Sequence, residues 1–225
     1  MGEFQPDPKR LFQRALPLGG SLQLDRGDLS LLLENQAGQC RMVKLQEGRP
    51  VKEVLLGLGG RGRVLVEVFP PERPLILELE PQAVLGPGGW LKGYVSLPLG
   101  WRVWIATGQG PARLLEKLPP PGLKLSFLGE AGKGYVHPFP ARLLPRRTFP
   151  RDPQGVGILP LHLVNRENRW VEVNRLYLPL FQAGIRRLGE HLVLDPVRVV
   201  LSGGGARLQI RSLERGNPPA REAAS

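Results

Sequence analysis

Hydrophobic side chains recur at every second position along most of this chain. Leu22 with Leu24, Val64 with Val66 and Val68, and Leu75 with Leu77 and Leu79 alternate with polar or oppositely facing neighbours, as the two faces of a half-buried strand require. Val95, Leu97 and Leu99 continue past Gly100 into Trp101, Val103 and Ile105, and Leu123, Leu125 and Phe127 mark a short strand after a run of prolines. The C-terminal part adds strands over residues 161–164 and 197–201, with Val171 and Val173, Leu176 and Leu178, Leu192 and Leu194, and Leu208 and Ile210. Asp25-Arg26-Gly27-Asp28, Gly86-Pro87-Gly88-Gly89, residues 165–168 and Ser202-Gly203-Gly204-Gly205 punctuate these runs at hairpin-like spacing. Many short strands with regular turns predict an all-β, sandwich-like fold, built as two packed antiparallel lobes. Helix has room only over residues 9–16, 111–118 and 182–189. Pro119, Pro120 and Pro121 cannot continue a strand ladder, so the expected division is an N-terminal segment (1–20), an N-terminal lobe (21–118), a C-terminal lobe (119–215) and a disordered tail (216–225).

With 225 residues, 41% of them hydrophobic, the chain can bury a substantial core. A single cysteine, Cys40, rules out an intramolecular disulfide. The N-terminus MGEFQPDPKR is charged and broken by proline, and no apolar run approaches the length of a membrane span. The expectation is a soluble cytoplasmic protein. Arginine dominates the basic residues, and with 24 prolines and 29 glycines the composition is thermophile-like, a bias that a GC-rich genome also produces.

Charge changes this picture most. Residues 133–215 carry fourteen Lys/Arg against six Asp/Glu, whereas residues 1–132 carry sixteen against thirteen, so most of the formal +11 lies in the C-terminal part. A folded surface of that sign attracts anions.

Assembled chemistry is harder to find. Gly57-Leu58-Gly59-Gly60-Arg61-Gly62-Arg63 resembles a phosphate-cradling loop but runs into a strand instead of a helix N-terminus, which removes the geometry such loops use. His137, His162 and His191 fall in three different elements, and none has the spacing of a zinc site. Cys40 has no histidine nearby, and Glu78 and Glu80 share the polar face of one strand. No cofactor, metal or catalytic residue is therefore assigned. Were the protein a hydrolase, His137 beside Gly132-Lys133-Gly134 would be the place to look.

The arginines are the constellation that remains. Arg142, Arg146, Arg147 and Arg151 crowd a proline-rich loop, Arg166, Arg169 and Arg175 follow the turn at Asn165, and Arg207 and Arg211 sit opposite Leu208 and Ile210. The guanidinium fork suits carboxylate and phosphate. The expected function is non-catalytic binding or regulation, through this arginine surface, of an anionic partner such as an acidic protein or a membrane-associated complex. Nucleic acid is the alternative, held back because the basic part has few aromatics (Tyr135, Phe139, Phe149, Trp170, Tyr177 and Phe181), several of them on apolar strands.

Three longer blocks carry a family resemblance: LILELEPQAVLGPGGWLKGYVSLPLGWRVWI from Leu75, PPGLKLSFLGEAGKGYVHPF from Pro120, and GVGILPLHLVNRENRWVEVNRLYLP from Gly155. Their order and spacing resemble an uncharacterised prokaryotic family, domain of unknown function four-three-two, best represented in archaea. Leu97-Pro98-Leu99-Gly100 departs from the family's pattern by lacking an acidic residue after the proline. The resemblance implies no functional residues.

Overall fold

The computed structural model describes residues 11–14, 19–36, 38–57, 62–107, 111–121, 138–148, 155–189, 191–203 and 205–210. In chain order the strands are β1 (Leu11–Arg14), β2 (Ser21–Arg26), β3 (Leu29–Gln36), β4 (Gln39–Gln46), β5 (Arg49–Gly57), β6 (Gly62–Phe69), β7 (Leu75–Leu85), β8 (Trp90–Pro98) and β9 (Gly100–Thr107). They continue with β10 (Arg113–Leu118), β11 (Phe139–Ala141), β12 (Val156–Asn165), β13 (Val171–Leu178), β14 (Ile185–Leu188), β15 (His191–Leu194), β16 (Val197–Ser202) and β17 (Gly205–Ile210). Among the described residues there is no α-helix, only a 3-10 turn at Leu180–Gln182. The fold is all-β and sandwich-like, as the period-two pattern predicts.

All three segments with room for helix contain strand instead. Leu11–Arg14 pairs with β6, Arg113–Leu118 with β9, and Ile185–Leu188 with β15. Local helix preference is weak enough for an unpaired neighbouring strand edge to override it.

Four sheets share one core. β2-β3-β4-β5 form an antiparallel meander; β1-β6-β9-β10 form a second antiparallel sheet. A third, three-stranded sheet has the order β11-β7-β13. In the fourth, β12 is central, flanked on one side by β8 and on the other by β15 and β16 end to end, with β14 and β17 outside them. Leu31, Leu33, Val64, Val66, Leu77, Leu97, Leu161 and Val199, drawn from all four sheets, pack into a single buried cluster. The hydrogen-bonded ladders cross the proline run: β8 pairs with β12, and β7 pairs with both β11 and β13.

Turn chemistry explains several connections. Gly27 at φ 60° closes the β2–β3 hairpin, and Gly203 at φ 62° the β16–β17 hairpin, a conformation that costs other residues a steric penalty. The turns at 86–89 and 165–168 are not hairpins. Each carries the chain between the third and fourth sheets, from β7 to β8 and from β12 to β13.

Charged side chains stitch the first two sheets together. Lys44 and Lys52 converge on Glu116 of β10, at 3.5 and 2.8 Å. Burial pushes the Glu116 carboxyl up, but hydrogen bonds from Lys52 and the Lys117 amide, with the field of Lys44, outweigh it and hold the group below its ordinary value. A carboxyl depressed on folding contributes stability above its unfolded pKa, about 4.3, and loses it as pH falls through the folded value. Glu116→Gln should therefore be less stable than the wild type at pH 7 and converge on it as pH falls through the folded value. Urea denaturation across that range checks this; a constant difference between the two proteins would contradict it.

Candidate partner-binding face

The outer face of the fourth sheet is built by register. Residues directly opposite one another on paired strands share a face, and three cross-strand rows line up here. Trp90 lies opposite Val164, which lies opposite Val200; Lys92 lies opposite His162, which lies opposite Arg198; Tyr94 lies opposite Pro160. The intervening residues Leu161, Leu163, Val197 and Val199 point the other way, into the core. The alternation in Trp90-Leu91-Lys92-Gly93-Tyr94 thus places two aromatic rings and an ammonium on the outside of one strand.

The cations and rings of this face touch. Lys92 Nζ sits 5.1 Å from the Trp90 ring centroid, and His162 meets Trp90 edge-on, with 6.1 Å between centroids. Arg147 lies over Tyr94 at 5.4 Å. It arrives there because Leu144 forms an antiparallel bridge with Tyr94, with amide-to-carbonyl bonds of 2.8 and 3.0 Å. Gly93 permits that docking: a Cβ there would stand 2.7 Å from Leu143 and 2.8 Å from the Leu144 carbonyl.

Several cations elsewhere in the fold are paired internally, although Arg49, Arg63 and Arg113, on β5, β6 and β10, form no ion pair among the described residues. Arg41 pairs with Glu34 and Glu53, Arg102 with Glu67 and Glu72, Lys117 with Glu72, and Arg175 with Glu78. Among the described residues, Lys92, Arg147 and Arg198 take part in no such ion pair, and Nε of Arg147 and of Arg198 is buried without a hydrogen-bond partner. Cations left over after internal pairing are the ones that create an external field.

One end of the face is closed by Asn165, which is fully buried. Its amide nitrogen donates toward the carbonyls of Leu85, Gly86 and Arg169 at 2.8 to 3.1 Å, and its carbonyl accepts from the Glu167 amide at 2.9 Å. Its own N–H donates to the Gly89 carbonyl. The two sheet-crossing turns are thereby clamped side by side. They carry Arg166 and Arg169, both exposed, and Trp170, which is 71% exposed and packs beside Gly86.

The sequence-predicted arginines are distributed unevenly. Arg147 reaches the outer face, Arg142 and Arg146 are exposed on the same docked segment, and Arg166 and Arg169 occupy its rim, the latter 3.8 Å from Glu167. Arg207 is placed by register alone, opposite Val200 on β17. Arg175 belongs to a different sheet and is bound to Glu78 through Nε and Nη2. Arg151 and Arg211 lie outside the described residues, as do His137, the Gly132-Lys133-Gly134 stretch and most of the 57–63 loop. Lys92, Arg198, Trp90 and Tyr94 escaped sequence reasoning. Lys92 sits in the less basic part of the chain, and Arg198 is embedded in the apolar run Val197-Arg198-Val199-Val200.

Three aromatics of the basic part, Trp170, Tyr177 and Phe181, are exposed, at 71%, 63% and 47%.

A family model described as "Protein of unknown function (DUF432)" matches residues 12–224. The chain belongs to this family. No curated protein and no solved structure matches this DUF432 chain. The matched span includes β8, β12, β16 and the Asn165 clamp, so the candidate face lies within the DUF432 domain. No helix among the described residues is long and apolar enough to cross a membrane. Among the same residues no three of His, Cys, Asp and Glu come together as a metal site would require. Cys40 is buried, and desolvation pushes its thiol up, away from the thiolate form that reacts.

Proposed function

We propose that this DUF432 protein is a binding module that captures an anionic partner on the outer face of the fourth sheet. The observation that carries the reading is convergence: Lys92, Arg147 and Arg198, none of them in an ion pair among the described residues, share one face with the Trp90 and Tyr94 rings. Arg142, Arg146, Arg166 and Arg169 widen that field at its margins. The carboxylates and phosphates that arginine binds best are the expected counterpart.

Retention on immobilised heparin tests it. The triple variant Lys92→Gln, Arg147→Gln, Arg198→Gln should elute at clearly lower salt than the wild type. A control removing three ion-paired cations, Arg41→Gln, Lys52→Gln and Arg175→Gln, should shift elution much less. Equal shifts would mean that only total charge matters, and the reading would fail.

A further inference from the structure

We infer that the anion taken by this face is single-stranded nucleic acid, with Trp90 stacking on a base while Lys92, Arg198 and Arg147, which lies over the half-buried Tyr94 ring, meet the phosphates. The inference rests on the binding reading above and narrows it to one ligand chemistry. Its ground is the interleaving of rings and cations. Along β8 the order is Trp90, Lys92, Tyr94 on one face, with His162 and Arg198 completing the Lys92 row. Trp90 and Tyr94 are four strand residues apart, about 13 Å at the usual rise, so the Lys92 row lies between the open Trp90 ring and the stack of Arg147 on Tyr94. Proteins that hold single strands without strong sequence preference combine these two elements, a basic track and aromatic faces on which bases stack.

The alternatives fit less well. A duplex keeps its bases stacked inside and offers rings no face to meet, so exposed Trp90, 64% accessible, would gain nothing from it. An acidic protein would have to centre its contact on charged side chains. Protein interfaces place charge at their rim and deplete it at their centre, yet here Lys92 and Arg198 occupy the middle row between the rings. A single strand keeps its phosphates hydrated while contacting those cations, so it does not demand full desolvation. Trp170 and the exposed Arg166 and Arg169 extend the same alternation of ring and cation around the Asn165 end. RNA and DNA share the required chemistry.

Fluorescence anisotropy with the full chain tests the inference. The probes are labelled oligouridylate and oligothymidylate of about 12 nucleotides, within the usual site size, a mixed-sequence duplex of similar length, and labelled polyglutamate. The single strands should bind more tightly than the duplex and polyglutamate, with log affinity falling linearly against log salt. Trp90→Ala should weaken single-strand binding about tenfold, the order expected for loss of one stacked base, with Trp90→Phe recovering most of it. Lys92→Gln should reduce the salt slope by about 0.7 and leave the Trp90 effect in place. Because Trp90 and Lys92 are exposed, unchanged thermal melts are expected for these variants. Binding of polyglutamate but not of either oligonucleotide would overturn the nucleic-acid inference and leave the anion-binding reading standing. Binding of none of the probes would overturn both, and equal affinity for duplex and single strand, insensitive to Trp90→Ala, would overturn the stacking role. A preference between the two oligonucleotides identifies RNA or DNA as the source, and either preference supports the inference.

Discussion

Asn165→Asp is expected to destabilise the protein by about 3 kcal/mol or more, although it exchanges one nitrogen for an oxygen. Three carbonyl oxygens, of Leu85, Gly86 and Arg169, face the Asn165 amide nitrogen. An aspartate at the same place offers them no hydrogens and sets a buried charge against three dipoles. Asn165→Ala should cost about 3 kcal/mol, because each buried carbonyl left without a donor carries a penalty of about 1–3 kcal/mol and part of that cost is relieved by rearrangement of the turns. The two variants separate at low pH. Burial without a cationic partner raises a carboxyl's pKa, and a group raised on folding contributes stability once protonated. Asn165→Asp should therefore regain stability as pH falls through its folded value, whereas Asn165→Ala should not. Urea denaturation followed by tryptophan fluorescence at pH 7 and pH 5 measures both. An Asp variant as stable as the wild type at pH 7 would mean that the three carbonyls do not depend on this amide. Trp90 and Trp170 lie beside the clamped turns, so loss of the clamp should also weaken partner binding without altering any residue of the binding face.

The second large effect is expected at Arg102. Glu67 is almost fully buried on β6, accepting from Trp104 Nε1 at 3.1 Å and lying 3.6 Å from Arg102 Nη1. Arg102 also holds Glu72 at 2.9 Å and covers the Phe69 ring at 4.5 Å, while Lys117 pairs with Glu72 and lies over the same ring at 5.3 Å. Arg102→Met keeps much of the side-chain volume but strands a buried carboxylate, a loss of about 3–5 kcal/mol. Combining it with Glu67→Gln should recover a substantial part. Glutamine can still accept from Trp104 Nε1, and no buried charge remains. Thermal and chemical denaturation of the two single variants and the double variant completes the cycle. If the double variant is less stable than Arg102→Met, the burial argument is wrong and the arginine acts mainly through Phe69 and Glu72.

How much of this was legible beforehand follows from range. Val64, Val66 and Val68, or Leu75, Leu77 and Leu79, show which side of their strand is buried because alternation is a local property with a fixed period. The turns at Gly27 and Gly203 were legible for the same reason, since their chemistry is contained in a few consecutive residues. Residues 111–118 were ambiguous because a short stretch with several leucines satisfies helix or strand, and only the available edge of β9 decides. The turns at 86–89 and 165–168 looked like hairpins because a turn signal does not state which sheet receives the next strand. Charge behaved similarly. Arg175 and Arg147 are indistinguishable as letters, yet Glu78 neutralises one and Tyr94 receives the other.

By itself, the sequence determined that this protein is all-β, where most of its strands alternate, and that its C-terminal part carries excess positive charge. These depend on local periodicity and on composition. Tertiary structure alone decided that β8, from the less basic part, pairs with β12, and that β12 pairs with β16, bringing Trp90, Lys92, Tyr94, His162 and Arg198 onto one face. Strand pairing between residues as far apart as Lys92, His162 and Arg198 is selected by the joint burial of both inner faces in a common core. No window along the chain contains that information, so the face built on their outer sides became visible only once the sheets were assembled.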